Sequence, residues 1–155
     1  PGSHIHIVSL DFNLSEFSDS SVSEIYMCHV LEHFSYKEGL DLINKLRKKL
    51  KPMGILRLSL PDFDKLINIY KLNKNNIKSI KSALMGGQTY ELNFHKSMYN
   101  KSYLIEVLKE AGFINFIEWN PEKDFGFSIG DFSNATIKTK LKDEDISLNI
   151  KAILP

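Results

Sequence analysis

Between Ser23 and Asp62 the chain reads SEIYMCHVLEHFSYKEGLDLINKLRKKLKPMGILRLSLPD, an apolar run, a helix-patterned run and a second apolar run joined by short turns. No other stretch constrains the fold as tightly. Glu24 to Cys28 is short and apolar, bounded by a serine-rich segment before it and the His29 to Phe34 turn after it, as a buried strand is. Ser35 stands three residues before Glu38, the spacing of a capping box. Leu40, Ile43, Leu46 and Leu50 then recur at helical spacing, while Lys45, Arg47, Lys48, Lys49 and Lys51 gather where cations suit the helix dipole. Lys51-Pro52-Met53-Gly54 stops that helix. Ile55 to Leu60 forms the second strand, ended by Pro61-Asp62. Strand, helix and strand with short connections is the parallel crossover unit of an α/β sheet.

These residues carry a resemblance. His29-Val30-Leu31-Glu32-His33 and Leu50-Lys51-Pro52-Met53-Gly54 resemble the turns after the fourth strand and before the fifth strand of class I S-adenosylmethionine-dependent methyltransferases. Met53 replaces a glycine of that pattern, and Gly54 is expected to supply the turn instead. The likeness extends through Leu10-Asp11, Gly86-Gly87-Gln88 with His95, the segment LIEVLKEAGF at Leu104 to Phe113, and Ser147-Leu148-Asn149. It covers nearly the whole chain and is similar to the small type 11 methyltransferases of bacteria. The fold it implies is a partial Rossmann-like three-layer α/β sandwich, mostly parallel with a carboxyl-terminal antiparallel strand.

The 155 residues are the size of one domain. Its 20 basic and 19 acidic side chains leave a net charge of +1, which argues against a nucleic-acid or membrane surface. The lysines of 45–51 and 71–81 read as solvated helix faces. The single cysteine, Cys28, excludes an internal disulfide and fits a cytoplasmic setting, and no apolar run is long enough to span a bilayer. At the strand end, Cys28 reads as a buried structural thiol. Pro1-Gly2-Ser3-His4 reads as a tag remnant or linker.

Around the central unit, Ile5 to Leu10 reads as a strand ending at Asp11, and the resemblance brings Asp11 to the cofactor's adenine; the residues alone also allow a turn aspartate. Phe63 to Leu72 reads as a helix started by Asp62 or Asp64, and Ile77 to Met85 as a second helix ended by Gly86-Gly87. In the family an insertion such as 63–99 lies over the ligand edge and shapes the acceptor pocket. Asn100 or Ser102 can cap a helix through Leu108 that Gly112 ends. Phe113 to Trp119 and Ile146 to Leu154 read as strands that pair like a hairpin, with a turn region at Pro121 to Ser133 between.

The resemblance implies S-adenosylmethionine as cofactor, held by Asp11, Phe12, His29, Val30 and His33, and a small-molecule or sugar acceptor touched by Gln88, Tyr90 and His95. His95 is the expected general base, because an unperturbed imidazole titrates near pH 6.5 and methyl transfer by in-line displacement needs little beyond positioning and one base. A structural His95 bonded to a backbone carbonyl stays open. Glu32 and His33 are expected to hydrogen-bond each other or to cap the following helix. No metal is expected: His29 and His33 are four apart, but no third ligand is fixed and no His-Glu-x-x-His order occurs. No Gly-x-Ser-x-Gly elbow supports hydrolysis.

The eight glycines, at positions 2, 39, 54, 86, 87, 112, 126 and 130, form no cofactor-cradling loop, and the family's ribose-gripping acid has no counterpart. The chain is therefore expected to start near the family's third strand and to bind the cofactor weakly. That arrangement would bare the edge of the Glu24 to Cys28 strand, to be covered by Ile5 to Leu10 or by a second copy in a homodimer. A catalytically silent methyltransferase-like module that acts through this edge is the alternative function.

Overall fold

The computed structural model describes residues 14–126 and 130–155. The expected strand at Ile5 to Leu10, together with Asp11 and Phe12, lies outside the described residues.

The central unit forms as its sequence dictates. Strand β1 spans Val22–Cys28, helix α1 Tyr36–Lys49 and strand β2 Leu50–Pro61. Both halves of the capping box are made: the Ser35 hydroxyl accepts from the Glu38 amide, and the Glu38 carboxylate accepts from the Ser35 amide. β1 and β2 pair in parallel, with Met27 opposite Leu58. β2 begins five residues before the expected Ile55, because the chain passes from α1 directly into an extended Leu50 and carries an irregular register between Val22 and Glu24.

The Lys51 to Gly54 turn works differently from the sequence reading. Met53, not Gly54, adopts the left-handed conformation, at φ 62°. Gly54 is required for close approach instead, since a Cβ there would lie 2.7 Å from the Lys51 carbonyl oxygen.

Helix α2 is Phe63–Leu72, capped by the Asp62 side chain on the Asp64 amide. The expected helix over Ile77 to Met85 is split into a tight turn at Ile77–Ser79 and a short helix α3, Lys81–Met85, with Ile80 turned into the interior between them. Helix α4, Lys101–Glu110, is capped by Asn100. Strand β3, Ile114–Glu118, and helix α5, Pro121–Phe125, follow. A small hairpin of β4, Thr136–Lys138, and β5, Asp143–Asp145, forms without any alternation in the sequence to announce it. Strand β6, Ser147–Ile153, completes the main sheet.

The sheet order is β1-β2-β6-β3. β6 runs antiparallel to both neighbours, so β1, β2 and β3 point the same way and their carboxyl ends share one edge. The pairing of β3 with β6 is the expected closing pair. Among the described residues no strand pairs with the outer edge of β1.

Side-chain alternation separates the two faces. Leu56, Leu58 and Leu60 of β2 and Leu148, Ile150 and Ala152 of β6 join Leu42, Ile43 and Leu46 of α1 and Leu104, Val107 and Leu108 of α4 in the main core. Burying each such leucine contributes roughly 1.5–3 kcal/mol. The opposite face carries Tyr26, Arg57, Ser59 and Asn149, and α5 with the Phe132–Asn134 turn lies over it. A second apolar cluster, Leu66, Ile69, Ile80 and Ile146, seats α2 and α3 beside the carboxyl edge. No helix among the described residues is long and apolar enough to cross a membrane.

Candidate functional site

β1 ends at Cys28, and His29 turns the backbone sharply through φ 51° while its amide still donates to the Ser59 carbonyl at 2.8 Å. A side chain other than glycine held in this region marks a position that its surroundings enforce. Leu31–His33 then forms one tight turn, anchored by Leu31, which is 1% exposed.

A distant loop returns to this turn. Gly86 adopts φ 80°, and a Cβ there would meet the Asn93 carbonyl oxygen at 2.4 Å, so only glycine permits the crossing. The His95 amide donates to Met85 at 3.1 Å, and the Lys96 and Ser97 amides donate to the Glu32 carbonyl at 2.8 and 3.2 Å. These bonds set His95 against the turn.

Four side chains converge as a result. Glu32 Oε1 lies 3.4 Å from Nδ1 of His29 and 4.0 Å from Nε2 of His95. The rings of His33 and His95 meet edge to face with centroids 4.8 Å apart. His29 Nε2 is 2.9 Å from the Ser147 hydroxyl, which itself donates to the Phe132 carbonyl. Burial pushes the Glu32 carboxyl up to about 8, and burial together with the neighbouring His95 takes His29 down to about 4. Both shifts favour the neutral forms, so their contact is not held as an ion pair. Burial, and then His33, also lowers the His95 imidazole.

A cleft of about 630 Å³ opens beside these groups, walled by Cys28, His29, His33, Gly86, Tyr90 and His95, with Phe132, whose ring lies 5.5 Å from that of His29, and Ile146. It lies at the carboxyl edge of the sheet, where open α/β folds take their ligands.

No protein-family model matches the sequence, and no curated protein matches it significantly. Solved structures do match. A methyltransferase from Archaeoglobus fulgidus that depends on S-adenosylmethionine (SAM) aligns with 90% of this chain at 15% identity and a TM-score of 0.52. A SAM-dependent methyltransferase from Methanosarcina mazei aligns with 89% at 16% identity and 0.52. The CurJ carbon methyltransferase aligns with 93% at 16% identity and 0.50. The fold is that of the SAM-dependent methyltransferases. This chain spans 62%, 61% and 32% of the lengths of those three proteins.

Within this methyltransferase fold, His29, His33, Tyr90 and His95 of the expected site residues share the cleft. Val30 instead packs against the main core, and the exposed Gln88 turns its amide toward the Met85 carbonyl, 3.4 Å away. Cys28 lines the cleft half-buried, with burial raising its thiol, so it stays protonated and unreactive.

The expected role of Glu32 and His33 is overturned. Ser35 caps α1, His33 Nδ1 faces the Phe94 carbonyl at 3.2 Å, and neither oxygen of the buried Glu32 has a hydrogen-bond partner. Glu32, His33 and His95 each place one ligand-type atom within 4.8 Å of the others, a grouping that takes in His33 but not His29 of the pair weighed in the sequence. Lys78 and Phe132 also stand on the cleft wall without a signal in the sequence, since only the folded loops define their positions.

Proposed function

We propose that this chain belongs to a SAM-dependent methyltransferase acting in the cytoplasm, and that its cleft receives the small-molecule or sugar acceptor. The observation that carries this reading is the convergence of His29, His33 and His95 on one cleft at the carboxyl edge of a methyltransferase-type sheet. His95 is the base. Its lowered imidazole is neutral at pH 7 and able to accept a proton from an acceptor hydroxyl or amine. Tyr90, 63% exposed on the loop, offers an aromatic face to the acceptor.

The residues fit the cofactor in part. His29 and its neighbours wall the acceptor side, whereas among the described residues no glycine follows a strand as a phosphate- or ribose-cradling loop would. When bound, SAM supplies the electrophilic methyl group. The chain's own contribution is to orient the acceptor and take its proton, and its hold on the cofactor is weak.

The test is transfer of labelled methyl from SAM, at millimolar concentration, to a panel of small hydroxyl and amine acceptors. Transfer that His95→Gln abolishes while the fold persists supports the reading. No transfer to any acceptor under saturating cofactor contradicts it.

A second reading, a silent module that self-associates, is favoured by the outer edge of β1, which no described strand pairs. Sedimentation of a concentration series separates the two, since this reading requires a dimer.

A further inference from the structure

We propose that Glu32, His33 and His95 bind one divalent transition-metal ion, of the zinc and cobalt class, beside the cleft. Glu32 is 2% exposed and both its carboxylate oxygens lack a hydrogen-bond partner. Burial keeps this carboxyl protonated, and a polar group buried without a partner is costly; a metal ion that displaces the proton supplies the missing partner. Next to it is a small void of about 10 Å³ that Glu32, His95 and Ser97 share with apolar walls such as Phe63 and Leu66, while His33 stands on the cleft side of the same carboxyl; the buried Ser97 hydroxyl also lacks a partner. That is room for roughly one small sphere, an ion or a water.

The donor set selects the ion. Two imidazoles and a carboxylate suit zinc, cobalt or nickel, whereas magnesium and calcium take oxygen ligands. Three protein ligands leave a position open, and His33 borders the cleft on that side. The tautomer is already set at one ligand: with Nδ1 of His33 against the Phe94 carbonyl at 3.2 Å, its Nε2 is the free ligand atom.

The backbone holds the set together. Glu32 and His33 are adjacent in one tight turn, and the amides of Lys96 and Ser97 bind the Glu32 carbonyl, so the loop cannot carry His95 away without breaking both bonds. Ligand atoms around a tetrahedral ion with bonds of about 2.1 Å stand about 3.4 Å apart. The present separations, up to 4.8 Å, close to this by side-chain rotation. A bound metal takes the His95 lone pair, so the base role proposed above belongs to the metal-free chain. The metal site stands whether or not that role does.

The test is titration of Co²⁺ into the full chain, followed by calorimetry and by visible absorption. His4→Ala and His6→Ala are present throughout, so that those two alternating histidines contribute no binding of their own. The expected result is saturation at one equivalent with the absorption of a low-coordinate ion, weakened about tenfold or more by Glu32→Gln and by His33→Ala. His33 is half-exposed, so His33→Ala folds even where Glu32→Gln does not. Absence of saturable binding, or undiminished binding by either folded variant, overturns the site and leaves the void to water.

Discussion

The Nε of Arg57 donates to Glu24 Oε1 across 2.6 Å, joining β2 to β1 from a guanidinium whose side chain is only 8% exposed. The same group lies 4.8 Å from the ring centroids of both Trp119 and Phe125. Its planar fork and its stacking are both in use, and lysine reproduces neither. Arg57→Lys is expected to destabilise by about 1 kcal/mol and to lower Tm by about 2–4 °C. Glu24→Gln, at a 40% exposed partner, is expected to have less than half that effect. Thermal unfolding by circular dichroism reads both; equal effects would place the stabilisation in the ion pair rather than in the stack.

Met53 supplies a second prediction. It sits at φ 62° and is 67% exposed, so it carries left-handed strain with little packing to offset it. Relief of about 1–2 kcal/mol of strain, less glycine's chain-entropy term of about 0.5–1 kcal/mol, leaves Met53→Gly net stabilising by about 0.5 kcal/mol. Urea unfolding should show a higher midpoint with an unchanged slope.

Asp131 supplies a pH dependence. Burial acts to raise its carboxyl, but the Ser133 hydroxyl and amide and the Tyr26 hydroxyl, at 2.5, 2.8 and 2.6 Å, donate to it and hold it below its ordinary value of 3.8. A carboxyl depressed in the folded state adds stability above its unfolded pKa and loses it as pH falls through the folded one. Tyr26→Phe removes one donor, worth about 1 kcal/mol after allowance for the partly solvated carboxylate. The gap between the two proteins is expected to be full above about pH 5 and to close toward pH 3. A gap that stays constant over that range would mean the tyrosine acts only by packing.

How far the sequence revealed this arrangement depended on how local each signal was. The capping box at Ser35 and Glu38, the leucine spacing of α1 and the apolar run of β2 lie within a few residues of their partners, and they fold as read. Thr136–Lys138 and Asp143–Asp145 escaped notice because three-residue, largely charged strands show no alternation to detect. Met53 was misjudged because φ is set by the turn's closure and not by which neighbour is glycine. In the site, the histidines are visible as candidates, but the local sequence offers Glu32 only a bond to His33 or a helix cap. A long-range neighbour, His95, is brought beside it by amide bonds from Lys96 and Ser97 that no spacing rule encodes.

The most direct test of the account is an NMR titration of S-adenosylhomocysteine into the isotope-labelled chain, because chemical shifts register weak binding and locate it. Saturable shifts are expected at millimolar ligand, concentrated at the amides of Cys28, His29 and Val30 and along the 86–95 loop, with Met53 and Gly54 at the opposite edge unmoved. No shifts at that concentration, or shifts centred away from the His29 turn, would contradict it.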